Sequence, residues 1–501
     1  MIVIEKKDFI DSIASSLQYI SYYHSENFIV AMKRAYEMEE SEPARDAMLQ
    51  ILTSSKLSAF GNRPLCQDTG IVTVFIKQGM NVLWKSDQSI EEMVNEGVRR
   101  AYLEPSNPLR PSIVKNPAGD RMNTKDNTPA ITYVSVVKGD KLEVNIAAKG
   151  GGSENKASLK MLNPSDSLVD YVLDTVSKMG AGWCPPGVLG IGVGGTADKA
   201  MLLAKESLFE SIDIHELIEN GTKNKIDELR LELYEKVNQL GIGAQGLGGL
   251  TTVLDVKIKD YPTHAASLPV AIIPNCAANR HVHFKLNGNG PVNLKAPNIN
   301  LWPKEVWQPR ENITKVNVNE VTKSEIKTWR IGQSLLLSGR ILTARDAAHK
   351  KLRQLAEGNR PLPSGLNLKD RFIYYVGPVD PVIGEVVGPA GPTTATRMDK
   401  YTNLMLDHYE IMGMIGKAER GQSTNDLIRE NNSIYLIAVG GAAYLVSQAI
   451  KKSKIVAFPE LGMEAIYEFE VENMPVTVAV DTKGQSIHEA GSKHWKKILQ
   501  K

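Results

Sequence analysis

From Pro291 to about residue 325 the chain loses the apolar periodicity that it keeps on either side. Pro291, Pro297, Pro303 and Pro309 recur there among asparagines and tryptophans, at no helix or strand spacing. A stretch of this texture reads as an ordered connection, which divides the chain into residues 1–290, a linker over 291–325, and residues 326–501. With 501 residues, 42% of them hydrophobic, both segments are long enough to bury cores.

Elements of both kinds are expected on each side, so the fold class is mixed α+β in two domains. The first 60 residues read as helices: Phe28, Met32 and Tyr36 share a face, and Pro43 suits a first helical turn. Ser89 and Glu92 form a capping box ahead of another helix. The stretches "AITYVSVV" and "KLEVNIAA", separated by Gly139-Asp140, are predicted to pair as a hairpin. After the connection, "SLLLSGRIL", "RFIYYVGPV", "SIYLIAV" and "MPVTVAV" read as strands with helices between them.

Several function classes fall away. No run approaches the roughly 18 apolar residues of a membrane span, and "MIVIEKKDFIDSI" gains charge too early for a secretory leader, so a cytoplasmic protein without a membrane partner is expected. A net charge of +2 with no basic stripe gives nucleic acid no footprint. Three cysteines, an odd and sparse set, make a poor disulfide framework.

Those cysteines, Cys66, Cys184 and Cys276, stand in "PLCQDTG", "GWCPPG" and "IPNCAAN", each where a strand or helix gives way to a turn. Their spacing is too wide for a zinc ribbon, whose ligands come in close pairs. Three unrelated buried thiols are one reading. The other is a shared inorganic ligand, because proline and glycine beside a thiolate let sulfur and backbone N–H groups approach a bulky group from a set direction. An iron-sulfur cube closed for electron transfer takes four thiolates; three leave one iron open for Lewis-acid chemistry.

Cations beside turns form a second constellation: Arg110, Arg345, Arg397 and Lys417. Guanidinium forks match carboxylates, and two such clamps suit a dicarboxylate, although any one of these arginines alone reads better as a solvated surface group. "AKGGGSENK" and "GPAGPTTATR" hold more glycine and hydroxyl than a plain turn needs. "GIGVGG" satisfies a dinucleotide fingerprint formally, but prolines and a cysteine just before it argue against one. His281 and His283 share a strand face without the carboxylates that would make a metal site.

Taken together, "CQDTG", "NTKDNTPA", "KGGGSENK", "GWCPPGVLGIGVGG", "THAASLPVAI" and "PNCAANRH", followed by "SGRILTARDAAHK", "GPTTATRMD" and "IGKAERG", resemble the class I, iron-sulfur-dependent fumarate hydratases of the fumarase and tartrate dehydratase family. The resemblance covers nearly the whole chain, with two segments that are separate subunits in some relatives fused here. It implies a [4Fe-4S] cluster on Cys66, Cys184 and Cys276, and a small dicarboxylate bound by Gln67, Asp68, Arg110, the glycines near Gly150, Arg345, Thr393, Arg397 and Lys417. His264 would lie close by. It also implies an N-terminal cluster-binding domain, a C-terminal swivelling β/β/α domain, a site between them and a homodimer. For the proton on carbon, Thr393 activated by Lys417 or Arg397 is one candidate, and Asp68 with His264 the other. Lys125 and Ala395 depart from the pattern expected of relatives, away from every proposed ligand. Tartrate or mesaconate are alternative substrates, and a nicotinamide dehydrogenase or a non-catalytic iron-sulfur protein alternative functions.

Overall fold

The computed structural model describes residues 2–311 and 313–501. It is mixed α/β, with three sheets built from residues up to 286 and a fourth from residues 314 onward. The opening helices Lys6–Tyr22, Glu26–Met38 and Glu42–Gly61 follow from their apolar spacing: Phe28, Met32 and Tyr36 are all buried, and Pro43 occupies the first turn of the third helix. Both arms of the Ser89/Glu92 capping box form at the start of the helix Ile90–Tyr102.

The expected hairpin does not form. Strands Ile131–Val137 and Leu142–Lys149 exist, but Ile71–Gly79 lies between them, parallel to the first and antiparallel to the second. The Gly139-Asp140 turn therefore straddles the end of a third strand, and the Gly79 N–H donates to Lys141 O at 2.9 Å. "GIGVGG" lies in and just past the strand Gly187–Gly194, not in a phosphate loop. A side chain at Gly190 or Gly192 would strike the backbone of the helix Ala197–Ser207, so these glycines permit close strand-helix packing.

The fourth sheet closes on itself. Ser334–Thr343 pairs with both Phe372–Tyr374 and Ile466–Val480, and Ile466–Val480 pairs again with Ile434–Ile437. "MPVTVAV" is only the second half of that fifteen-residue strand. The connection is largely irregular, and it is tied down. Trp302 Nε1 donates to Ser55 Oγ at 3.0 Å and Trp307 Nε1 to Asp46 Oδ1 at 2.9 Å, both on the third helix. Its last part already belongs to the fourth sheet, where Thr314–Asn317 pairs with Ser334–Thr343.

The sheets separate by segment, but the apolar core does not. One continuous cluster joins Phe28, Met48 and Leu52 to Leu336, Ile437 and Ala442. The final helix, Ile487–Leu499, also returns to the first segment, with Gly491 against the backbone of Leu247 and Gly248. Among the described residues, no helix is long and apolar enough to cross a membrane.

Candidate active site

Sheet register brings two of the cysteines together. Gly187–Gly194 runs antiparallel to Leu268–Asn275 with Val188 opposite Asn275, so Cys184, just before the first strand, and Cys276, just after the second, share one sheet end. The Ala277 N–H donates to Cys184 O at 3.0 Å. Cys184 holds a left-handed φ of 59°, uncommon for a residue with a side chain, and this strain sits where its sulfur is aimed. Cys66 arrives from the loop between the helix Glu42–Gly61 and the strand Ile71–Gly79.

Burial pushes the Cys184 thiol up to about 11, with Cys276 adding to the rise and Lys417 opposing it. Burial likewise raises Cys66 against the nearby charges of Arg280 and Lys417. The Lys417 ammonium touches Cys184 Sγ at 2.9 Å, and despite its burial the surrounding sulfurs hold its pKa above the ordinary lysine range. Among the described residues, no group of three or more His, Cys, Asp or Glu side chains is placed to hold a single metal ion.

Beside the thiols lies a cavity of about 160 Å³ whose wall includes Gln67, Asp68, Arg110, Arg345, Thr393, Arg397 and Lys417. A larger cleft of about 700 Å³ shares Asp68, Arg110, Arg345 and Arg397 with it. Residues more than 270 positions apart in the sequence thus meet in one wall. Gln67 Nε2 donates to Pro392 O at 3.1 Å and Arg110 Nη1 to Gly377 O at 2.6 Å, which ties the two segments across the site. Thr393 and Lys417 are joined through the backbone, the Lys417 N–H donating to Thr393 O at 3.2 Å.

Electrostatics differentiate these groups. Burial disfavours the Asp68 carboxylate, but Arg110, Arg280, Lys417 and an N–H from Gly151 at 2.8 Å outweigh it and hold its carboxyl below the usual range. Burial, reinforced by the charge of Arg345, pulls Arg110 down to about 10. Arg345 is 11% exposed and faces Glu464 at 3.3 Å, with its Nε and Nη1 buried and without partners. Arg397 is 43% exposed and paired with Asp346 at 2.8 Å. Gly150 brings its Cα close to both Asp68 and Arg280, where a methyl group would lie 3.2 Å from Asp68 Oδ2.

His264 stands apart. It is exposed in the loop before Leu268–Asn275, at the opposite end of that strand from Cys276, a separation of about 26 Å at normal strand rise. Its Nδ1 accepts only the Ala266 N–H, at 3.1 Å, so the chain does not by itself assemble an Asp68–His264 pair.

Sequence reasoning missed two residues. Gln245, also at a left-handed φ, donates from Nε2 to Pro185 O at 2.9 Å and accepts the Gly440 N–H at 2.8 Å, linking the Cys184 turn to the second segment. Arg280 is 2% exposed beneath the Cys66 loop. It lies inside the motif "PNCAANRH", the one local signal that could have drawn attention to it.

Residues 10–285 match the family Fumarate hydratase (Fumerase), and residues 288–491 match Fumarase C-terminus. The chain is 35% identical to the anaerobic class I fumarate hydratase of Escherichia coli K12, over 91% of its own length and 84% of the relative's. It is 33% identical to the aerobic class I enzyme of the same strain, over 90% and 84%. It is also 39% identical to a putative L(+)-tartrate dehydratase subunit alpha of Methanocaldococcus jannaschii, over 54% of this chain and 94% of that one.

Proposed function

Because the chain belongs to the class I fumarate hydratase family, we propose that it is a hydro-lyase that adds water reversibly to fumarate to give (S)-malate. The observation that carries this is the meeting of three cysteine turns beside a cavity rich in arginine and lysine. Cys66, Cys184 and Cys276 would hold a [4Fe-4S] cluster, which when bound supplies a Lewis acid for the hydroxyl that leaves or enters at C2. The donor set suits it: Cys66 and Cys184 are buried and Cys276 partly so, the cations Lys417 and Arg280 bear on them, and a cube spreads its ligands more widely than one ion would.

The remaining work falls to the chain's own groups. Arg345, with unpartnered buried donors, and Arg110 suit the two carboxylates, with Arg397 at the outer rim. They also stabilise the charge that grows on a carboxylate as the C3 proton leaves. Asp68 is ionised but a weak base, since its neighbours favour the carboxylate, so it serves to orient the site through the Gly151 N–H. That leaves Thr393 as the group that takes the C3 proton, with Lys417 as the cation able to stabilise its alkoxide.

The segment after the connection is read as the swivelling β/β/α domain, a reading its self-closed sheet supports. A homodimer is favoured by area: the chain exposes 21172 Å², against about 18,000 Å² for a compact monomer of this mass. His264 keeps a role only across an interface between copies. Unpaired cysteines suit a reducing cytoplasm. Tartrate remains the alternative substrate because of the identity to a putative tartrate dehydratase subunit over 54% of the chain. Anaerobically reconstituted protein should contain iron and sulfide and turn over fumarate faster than tartrate or mesaconate. A colourless protein inactive on all three would end this reading, and faster tartrate turnover would move the substrate.

A further inference from the structure

Arg280 is almost wholly enclosed, yet its Nε and Nη1 have no hydrogen-bond partner, and among the described residues no carboxylate pairs with it. Its place is well defined. It follows Cys276 by four positions, its carbonyl accepts the Ala148 N–H at 3.1 Å, and its Nη2 would lie 3.7 Å from a methyl group on Gly150. It does not line the 160 Å³ cavity; it borders a small pocket behind it, with Lys149 and Asn275. It is therefore poorly placed to bind substrate, while Gly150 brings it within reach of Asp68, two residues after Cys66. Burying guanidinium donors unpaired is unfavourable unless an acceptor meets them in the working protein.

We propose that Arg280 is a positioning residue that donates from its buried Nε and Nη1 to the sulfur surface of the cluster beside Cys66, stabilising its retention and raising its reduction potential. The inference rests on the cluster reading above. Lys417, on Cys184, would cover the group from another side, so two cations offset the charge of thiolates and sulfides. Hydrogen bonds to sulfur and nearby charge are what set a cluster's potential, and removing a donor disfavours the reduced, more negative state.

The test compares wild type, Arg280→Lys and Arg280→Met after anaerobic reconstitution, by iron and sulfide content, rate of iron loss to a chelator, and the midpoint of the reduced-cluster EPR signal. In Arg280→Met, iron loss should speed up about ten- to a hundredfold, as for other groups that support metal ligands, and the midpoint should move to more negative potential. Arg280→Lys should fall between. A folded, loaded Arg280→Met with wild-type loss rate and midpoint overturns the proposal. If that variant does not fold, wild-type values in Arg280→Lys overturn it instead. A wild type that takes up no iron or sulfide overturns the cluster reading beneath it.

Discussion

A threonine hydroxyl takes a proton from carbon only if something stabilises its alkoxide; the stabiliser proposed for Thr393 is Lys417, a cation held by the sulfurs around it that lines the same cavity. Thr393→Val should leave the KM for fumarate nearly unchanged and lower kcat by about 10² to 10⁴, the usual worth of general base catalysis. Steady-state kinetics on loaded enzyme decide it, and an unchanged kcat removes Thr393 from the proton's path. The arginines should rank by burial. Charge-assisted hydrogen bonds contribute about 1.5–3 kcal/mol, and screening reduces that at exposed sites. Arg345→Met should therefore raise KM more than Arg397→Met, since Arg345 is enclosed and Arg397 is exposed and paired with Asp346. Equal effects would mean that both meet substrate alike. Much of this wall was legible in the sequence, because turn glycines, hydroxyls and arginines in short motifs are local signals. Arg280 was not: its significance lies in burial without a partner, which only tertiary packing creates. His264 fails the opposite way, since its motif is local while its distance from the thiols follows from the full length of a strand.

At the scale of elements, close approach matters more than propensity. Gly440 follows the strand Ile434–Ile437, and a methyl group there would lie 2.6 Å from Cys184 Sγ and 3.0 Å from Gln245 Oε1. Gly440→Ala should therefore leave the metal-free fold standing, at a loss of about 1–3 kcal/mol for overpacking, while reconstituted iron drops sharply because the sulfur must move. Thermal melting and an iron count together check it. Full iron loading would show that the sulfur can shift without consequence. The misplaced hairpin has a similar origin. Two strand patterns around a Gly-Asp turn are a fair local signal, but the signal cannot reveal that Ile71–Gly79, from an earlier part of the chain, inserts between them. The opening helices and the helix after Ser89 carried their own evidence in spacing and caps, and so were legible as helices.

For the molecule as a whole, the texture break near 291–325 marks where sheets change but not where the core does, because apolar faces of the opening helices pack on the second segment. That coupling suggests one cooperative unfolding transition. Two buried histidines give it a pH dependence. His24, stacked on Phe28 and bonded through Nδ1 to Ser55 Oγ at 2.8 Å, has its pKa lowered to about 3, chiefly by burial. His349, bonded to Arg345 O at 2.8 Å, is lowered to about 4 for the same reason. Both lie below the unfolded value, so as pH falls through about 6.5 the unfolded chain binds protons that the folded one refuses, and stability rises with pH across that window. At pH 5 each histidine removes about 2 kcal/mol, a large share of a typical 5–15 kcal/mol. Denaturant melts of the metal-free protein should show the midpoint falling steadily from pH 7 to pH 5 in a single transition. The double variant His24→Gln, His349→Gln should make that acid limb shallower without abolishing it, because His281, lowered to about 4 by burial, still refuses its proton in the folded chain. An unchanged slope would assign the loss to other groups, and two separate transitions would show that the segments unfold independently despite their common core.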